Sequence, residues 1–319
     1  MTPSPLQILV ADEMLSTLMP MLQNLGFHVD YQPAITRAQM LACIGNYHGL
    51  IIRSKTTLDQ EMLDQAGRLQ FIGRAGAGLD LIDLDAVAQR NIHLLNAPEG
   101  NRDSVAEHAV AMLLCLLNHL IRADREVRQG LWKREANRGT EMGGKTVALI
   151  GYGNTGRAFA RRLHSFGCRV LAYDTLLRNY TDPYASDSSM EEIFEQADVL
   201  SLHVPLTDQT RMLVDERYLG RFRKNIYLIN TARGEVLSLR ALCSALESGK
   251  VLGAGLDVLE NEKIQQLTPE QQRDFDCLAQ SDRVIFTPHI AGWTHESYQR
   301  INKVLVEKIS RLRQEKGIG

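Results

Sequence analysis

Short β-branched apolar runs alternate with stretches of helical period along almost all of this 319-residue chain. Parallel strands need a crossover between them, and a helix is the usual crossover. The alternation therefore confines the chain to an α/β architecture, parallel sheets with helices on both faces. At about 100–200 residues per domain, the length predicts two such domains. In the first third, strands are predicted at 8–11, 28–31, 50–53, 71–72 and 93–96, with helices at 15–25 and 38–44. One long helix follows, starting near 102–104 and running towards Val127, with Ser104 capping its first turn and Glu107 completing a capping box. A second series places strands at 146–150, 169–173, 199–202, 226–229, 251–256 and 284–286, six strands that make a complete doubly wound domain. The polar, Gln-rich stretch 261–282 reads as helix plus loop, and 296–313 as a last helix.

A formal net charge of −2 argues against a general nucleic-acid binder, which carries a clear basic excess. The basic run Arg125, Arg128, Lys133, Arg134, Arg138 reads as a solvated helix end and loop. Five scattered cysteines without a C-x-x-C make neither a disulfide framework nor a zinc site, and they fit a reducing cytoplasm. No signal peptide is expected, because residues 1–5 lack a basic cap and run directly into a strand. The most apolar stretch, 109–121, contains Asn118 and His119, is too short to span a bilayer, and reads as a buried helix. A cytoplasmic chain with no membrane partner is expected.

The strand at 146–150 leads into Gly151-Tyr-Gly153-Asn154-Thr155-Gly156 and a helix, and Asp174 ends the next strand. Between a strand and a helix, this spacing is that of a dinucleotide cradle: a tight turn at Gly151, backbone approach to a pyrophosphate at Gly153, and close helix packing at Gly156. Asp174 accepts from ribose hydroxyls and repels a 2′-phosphate, which favours NAD over NADP; Arg178 stands near enough to contest that preference. Ligands of an open parallel sheet bind outside the carboxyl ends of its strands. Those ends carry His203, then Asn230-Thr-Ala-Arg233, then Asp257 and Glu262, then Thr287-Pro-His289, all predicted on the edge that holds the glycine turn.

Those residue types suit hydride transfer at the 2-carbon of a small hydroxy acid. An arginine fork grips the carboxylate and polarises the carbonyl, a histidine moves the proton, and a paired carboxylate favours the protonated histidine. Arg233, His289 and Glu262 are assigned these parts. His108 and His119 read as packed or interface residues. The remaining histidines show no metal spacing, and no metal is expected.

On Gly73-Arg-Ala-Gly-Ala-Gly-Leu-Asp80, Asn101-Arg-Asp-Ser-Val-Ala-Glu-His108, the Gly151 to Asp174 unit, Asn230-Thr-Ala-Arg-Gly234, Leu256-Asp-Val258 with Glu262, and Thr287-Pro-His289, the chain resembles the D-isomer-specific 2-hydroxyacid dehydrogenases over nearly its whole length. The resemblance implies an NAD-binding Rossmann domain, 101–289, inserted into a flavodoxin-like substrate-binding domain, 1–100 with 290–319. It implies catalytic Arg233, Glu262 and His289, and a backbone around Ala75, Gly76 and Ala77 that helps hold the substrate carboxylate. Cofactor contacts are expected from the glycine turn, Asp174, His203, Pro205, Thr207, Thr231, Ala232, Asp257 and Ser104. Family members are usually dimers through the nucleotide domain, with 104–121 in the interface. Arg53-Ser-Lys-Thr56, Arg74 and Gly130-Leu-Trp132-Lys-Arg134 look most like D-3-phosphoglycerate dehydrogenases, in which the matching arginines serve the phosphate end of the substrate and the one matching Arg134 reaches in from the partner subunit. Hydroxypyruvate or glyoxylate reduction is the alternative, and the co-repressors that share this fold offer a non-enzymatic one. The chain departs from the family where Lys263, not proline, follows Glu262, and where Trp293 follows Ile-Ala-Gly. Its end soon after the last helix leads to an expectation of no serine feedback.

Overall fold

The computed structural model describes residues 5–177, 179–180 and 182–316; the expectations resting on residues 1–4 and on Arg178 lie outside them. The chain divides into two compact units, Met1–Asn101 with Trp293–Gly319, and Arg102–Gly292.

The first unit holds β1 (Gln7–Val10), β2 (His28–Tyr31), β3 (Gly49–Ile52), β4 (Phe71–Arg74) and β5 (His93–Asn96), all parallel in the order β2-β1-β3-β4-β5. Its helices are α1 (Leu18–Asn24), α2 (Arg37–Cys43), α3 (Gln60–Asp64) and α4 (Leu84–Gln89), joined by the last helix of the chain, His295–Lys316. Alternate residues of a strand face opposite sides. Ile8, Val10 and Ile51 accordingly pack with Leu18, Leu22, Leu305 and Ile309, while Leu9, Leu50 and Ile52 pack with Met40, Met62 and Val87. A strand covered on both faces is apolar at every position, as central β3 is, whereas edge strand β2 carries Asp30 and an exposed His28.

The second unit contains most of α5 (Pro98–Leu117), then α6 (Leu120–Arg128), β6 (Thr146–Ile150), α7 (Asn154–His164), β7 (Arg169–Tyr173), β8 (Ser186–Asp187), α8 (Met190–Gln196), β9 (Val199–Leu202), α9 (Glu216–Gly220), β10 (Ile226–Asn230), α10 (Leu239–Glu247), β11 (Val251–Leu256), α11 (Pro269–Ala279) and β12 (Val284–Phe286). The last helix, α12 (His295–Lys316), returns to the first unit. All seven strands are parallel, in the order β12-β11-β10-β9-β6-β7-β8. Succession runs outward from β6 through β7 to one edge and from β9 through β12 to the other. The topological switch point, where such sheets bind ligands, therefore lies between β6 and β9.

Several sequence expectations are corrected. Among the described residues the sheet of the second unit has seven strands, not six: the two-residue β8 carries too little apolar pattern to read. Helices α3 and α4 leave no signal in the sequence: at five and six residues they are too short for a period, and Asp59 and Asp83 cap them. The predicted single helix from 102–104 to Val127 starts earlier, at Pro98, and breaks at Asn118–His119, where His119 takes φ +52°. Its two parts are bent by 60°. Ala106, Ala109, Leu113 and Leu117 of α5 are fully buried, whereas α6 buries no residue. A polar pair at the boundary lets the chain turn from the core to the surface. Ser104 is inside α5, so there is no capping box; its hydroxyl donates to the Ala291 carbonyl at 2.8 Å. Among the described residues no single helix is long and apolar enough to cross a membrane.

Candidate active site

Because every strand of the second sheet points the same way, the segments after β6, β9, β10, β11 and β12 leave one edge together. The segment after β12 is anchored hardest. Asp257, the first residue past β11, is 2% exposed. Its carboxylate accepts from the Thr287 hydroxyl at 2.5 Å and from the backbone N–H groups of Ile290 at 2.8 Å and Ala291 at 2.9 Å. A buried carboxylate is tolerable only when its oxygens are met this way. His108 extends the network: the Thr287 proton goes to Asp257, so the Thr287 oxygen accepts from His108 Nε2 at 3.0 Å. Between these anchors His289 adopts φ +54°, uncommon for a residue with a Cβ, and its N–H bonds to the Asp257 carbonyl at 2.8 Å. The whole arrangement aims one imidazole.

That imidazole meets Glu262. His289 Nδ1 lies 2.9 Å from Oε1 and 3.1 Å from Oε2. A carboxylate only accepts, so Nδ1 carries the proton and Nε2 remains for another partner. The hydrogen bond to Glu262 raises the His289 pKa above the ordinary imidazole value; burial and the Arg233 charge work against that rise. Both side chains are about half exposed. The residue after Glu262 is held without the family's proline. Lys263 N donates to the Asn261 side-chain oxygen at 3.0 Å, an Asx turn, and Asn261 Nδ2 is tied to Gln271 at 3.1 Å.

Arg233 follows β10 in extended backbone. Buried Asn230 shapes this turn from both sides: its Oδ1 accepts from Ala232 N at 3.1 Å and its Nδ2 donates to the Arg233 carbonyl at 3.0 Å. Arg233 Nη1 donates to the Ala232 carbonyl at 2.6 Å. Arg233, Glu262, Asp257 and His289 are thus brought together, with Arg233 within electrostatic reach of the imidazole.

At the switch point the glycine turn has the shape a dinucleotide needs. Gly151 has φ +96°, and a Cβ there would lie 2.6 Å from the His203 carbonyl oxygen; one on Gly156 would lie 2.4 Å from the Gly151 carbonyl oxygen. Nothing stands within 4 Å of the Cβ direction at exposed Gly153. As N-cap of α7, Gly153 provides no capping side chain, so the first N–H groups of an 11-residue helix are left for an anion. Asn154 is exposed and Thr155 partly so. Two polar atoms near the sheet edge, Thr231 Oγ1 and His203 Nδ1, are buried with no partner among the described residues. An open cradle with unmet donors and acceptors fits the dinucleotide. His203 is no proton donor: its Nε2 bonds Ser201 Oγ at 2.9 Å, and burial pushes its pKa down to about 4. Pro205 and Thr207 are exposed beyond it, Ala232 is buried, and Ser104 is committed to Ala291.

Asp174 does more than the sequence suggested. Its oxygens accept from the N–H groups of Tyr152 at 2.8 Å, Leu176 at 2.8 Å and Leu177 at 3.1 Å, tying the glycine turn to the segment after β7. A cavity of about 430 Å³ beside the turn is lined by Arg102, Asn154, Arg157, Arg161 and Tyr184 among others; it includes none of Arg233, Glu262 and His289. Among the described residues no group of three or more His, Cys, Asp or Glu is placed to hold a metal.

In the first unit, Arg53 and Arg74 leave adjacent strands β3 and β4 at one edge, and Ala75 N donates to the Ile52 carbonyl at 2.8 Å. Gly76 has φ +148°, Ala97 N donates to its carbonyl, and the Asn96 side chain donates to the Ala77 carbonyl at 2.8 Å. Trp293, a point of departure from the family, packs on Arg53. Arg134 is exposed in the segment after α6, where Arg122 and Glu126 pin Asn137. The basic run around it is largely paired, Arg125 with Asp282, Arg128 with Asp124 and Arg138 with Glu135.

Three features were out of reach of the sequence: the Asp257 anchorage, the His108–Thr287 link and the partner of Arg53. No local pattern signals any of them, because each joins segments far apart in the chain.

A family model described as D-isomer specific 2-hydroxyacid dehydrogenase, NAD binding domain, matches residues 110–291. The chain belongs to this family. It is 33% identical over 314 residues to a D-3-phosphoglycerate dehydrogenase of Archaeoglobus fulgidus, covering 95% of this chain and 56% of that protein. It thus spans little more than half the length of that dehydrogenase. A hydroxypyruvate reductase of Thermotoga maritima is 35% identical over 275 residues, covering 86% of this chain and 88% of that one. Among solved structures, D-lactate dehydrogenase from Aquifex aeolicus complexed with NAD and lactic acid superposes with TM-score 0.83 at 28% identity, covering 98% of this chain and 96% of that one. The matched residues lie within the second unit, which carries the glycine turn and the strand ends around it.

Proposed function

We propose that the protein is an NAD-dependent dehydrogenase of D-2-hydroxy acids, acting on 3-phosphoglycerate or, in reverse, 3-phosphohydroxypyruvate. The observation that carries the reading is the His289–Glu262 pair, held beside Arg233 on the edge that also carries the dinucleotide turn. The bound nicotinamide supplies the hydride chemistry. The chain's residues do the rest. Arg233 grips the substrate carboxylate and draws electron density from the C2 carbonyl. His289 Nε2 gives a proton to the C2 oxygen in reduction and removes it in oxidation, while Glu262 stabilises the imidazolium. Asp257 acts as a support that aims His289. The backbone at 75–77 helps hold the carboxylate, Arg53 and Arg74 meet the phosphate, and Arg134 serves a partner subunit's substrate. Asp174 places a negative charge against a 2′-phosphate and so favours NAD. The hydroxypyruvate reductase relative, matched over most of its own length, supports hydroxypyruvate as the second reading.

The test is NADH oxidation with 3-phosphohydroxypyruvate, hydroxypyruvate, glyoxylate, pyruvate and 2-oxoglutarate. The phosphorylated acid is expected to give the highest kcat/KM. No turnover of any of them, with tight NADH binding, would replace the enzyme by a regulatory NAD-binding protein.

The working unit is inferred to be a homodimer through the nucleotide-binding unit. Leu120, Ile121 and Val127 are each at least half exposed on α6, an apolar surface that a partner subunit would cover. Sedimentation at micromolar concentration should give about twice the chain mass of 35.8 kDa, and a monomer there would remove the dimer.

A further inference from the structure

Arg53 has an unusual environment. It is the first residue past β3, and its backbone is pinned to Asp12, which is 2% exposed. Asp12 accepts from Arg53 N at 2.6 Å, from Lys55 N at 3.1 Å and from the Thr56 hydroxyl at 2.5 Å. These bonds engage Asp12 with the backbone and a hydroxyl, and the guanidinium forms no ion pair or hydrogen bond among the described residues. It sits in the angle between two rings, its central carbon 4.2 Å from the centroids of both Trp293 and Tyr298, which meet edge to face at 5.3 Å. Loss of water lowers the Arg53 pKa against the opposing pull of Asp12 and Glu13, so its charge is only partly compensated. Tyr298 Oη is itself buried without a partner among the described residues.

Ring faces attract a cation but accept none of the five N–H bonds that a guanidinium offers in its plane. A half-buried arginine stripped of water and facing aromatic carbon on one side is therefore poised for an oxyanion on the other. The neighbouring strand end brings Arg74 to the same edge.

We propose that Trp293 and Tyr298 form an aromatic corner that holds Arg53 in one orientation as the receptor for a phosphate ester, making Trp293 a specificity-determining residue. The proposal rests on the phosphorylated-acid reading above and deepens it. Free arginine samples many rotamers, and binding one anion must freeze them; the corner does so in advance. Phosphate is the favoured occupant because it offers three acceptor oxygens and nearly two charges to the arginine edge, whereas a carboxylate offers two oxygens and one charge.

The chain has two tryptophans, Trp132 and Trp293, so Trp132→Phe leaves Trp293 as the only tryptophan emitter. In that background, titration with 3-phosphoglycerate is expected to give a saturating change in emission, with glycerate at least about 10-fold weaker. Kinetically, Trp293→Leu should raise KM for 3-phosphohydroxypyruvate about 10-fold, with kcat within about 2-fold and KM for hydroxypyruvate little changed. Trp293→Phe, which restores a ring face, should recover most of the loss. Trp293 is 58% exposed, so its replacement does not open the core. Equal KM changes for both substrates, no change for either, or a flat fluorescence titration would overturn the aromatic corner. Saturating fluorescence with no turnover on any 2-oxo acid would instead sink the dehydrogenase reading and leave the corner standing. A 2-oxoglutarate KM that tracks the phosphorylated acid through these variants would overturn the preference for phosphate.

Discussion

Replacing His289 by alanine is expected to lower kcat about 10²–10⁴-fold while leaving the affinity for NADH within a few-fold. The imidazole keeps Nε2 clear of the Glu262 contact, and that contact raises its pKa, whereas burial pushes the His203 pKa down to about 4. It projects from a loop fixed by Asp257, and the anchoring bonds come from Thr287, Ile290 and Ala291, not from the His289 side chain. The substitution therefore removes the proton donor without dismantling the loop. Steady-state kinetics with NADH binding measured separately decides the matter, and near-normal turnover would move the proton to another residue. A pH series sharpens the test. Glu262 raises the His289 pKa, so the protonated form needed for reduction persists to higher pH, and the rate falls as pH rises through that pKa. Glu262→Gln removes the raising interaction. The falling limb for reduction should move to lower pH, and the rising limb for oxidation should move the same way. An unmoved profile would separate Glu262 from the proton.

Replacing Arg233 by alanine is expected to lower kcat about 10²–10³-fold and to raise KM for every 2-oxo acid tested, because one group both grips the carboxylate and polarises the carbonyl. Arg233→Lys should recover little, since a point charge cannot match two oxygens as a planar fork does. The Asn230 bonds that shape the turn run to the Arg233 carbonyl and to Ala232 N, so the backbone survives the change. Addition of guanidinium ion to the alanine variant should restore part of the rate. Loss confined to KM, with kcat untouched, would leave Arg233 a binding residue only.

The strands were legible because a short β-branched apolar run is a local signal, and the helices where their period ran long enough. Helices α3 and α4, at five and six residues, fell below that length, and the two-residue β8 offered no pattern. The break at His119 was visible as a polar pair in an apolar run, but whether the chain bends there depends on what α5 packs against. Asp174 shows the same limit at the site. Its position after the second strand of the nucleotide unit was readable, whereas its three backbone donors belong to a turn whose shape the sequence does not encode locally.

By itself, the sequence determined which chemistry-bearing residues follow which strands, and the parallel sheet then carried Gly151, Arg233, Glu262 and His289 to one edge. That information is local, written in strand pattern and turn residues. Only the tertiary structure decided that Asp257 would anchor the His289 loop, that His108 would reach Thr287, and that Trp293 and Tyr298 would enclose Arg53. Each of these brings a polar or charged group against residues from distant segments, and no period along the chain records which segments will lie side by side.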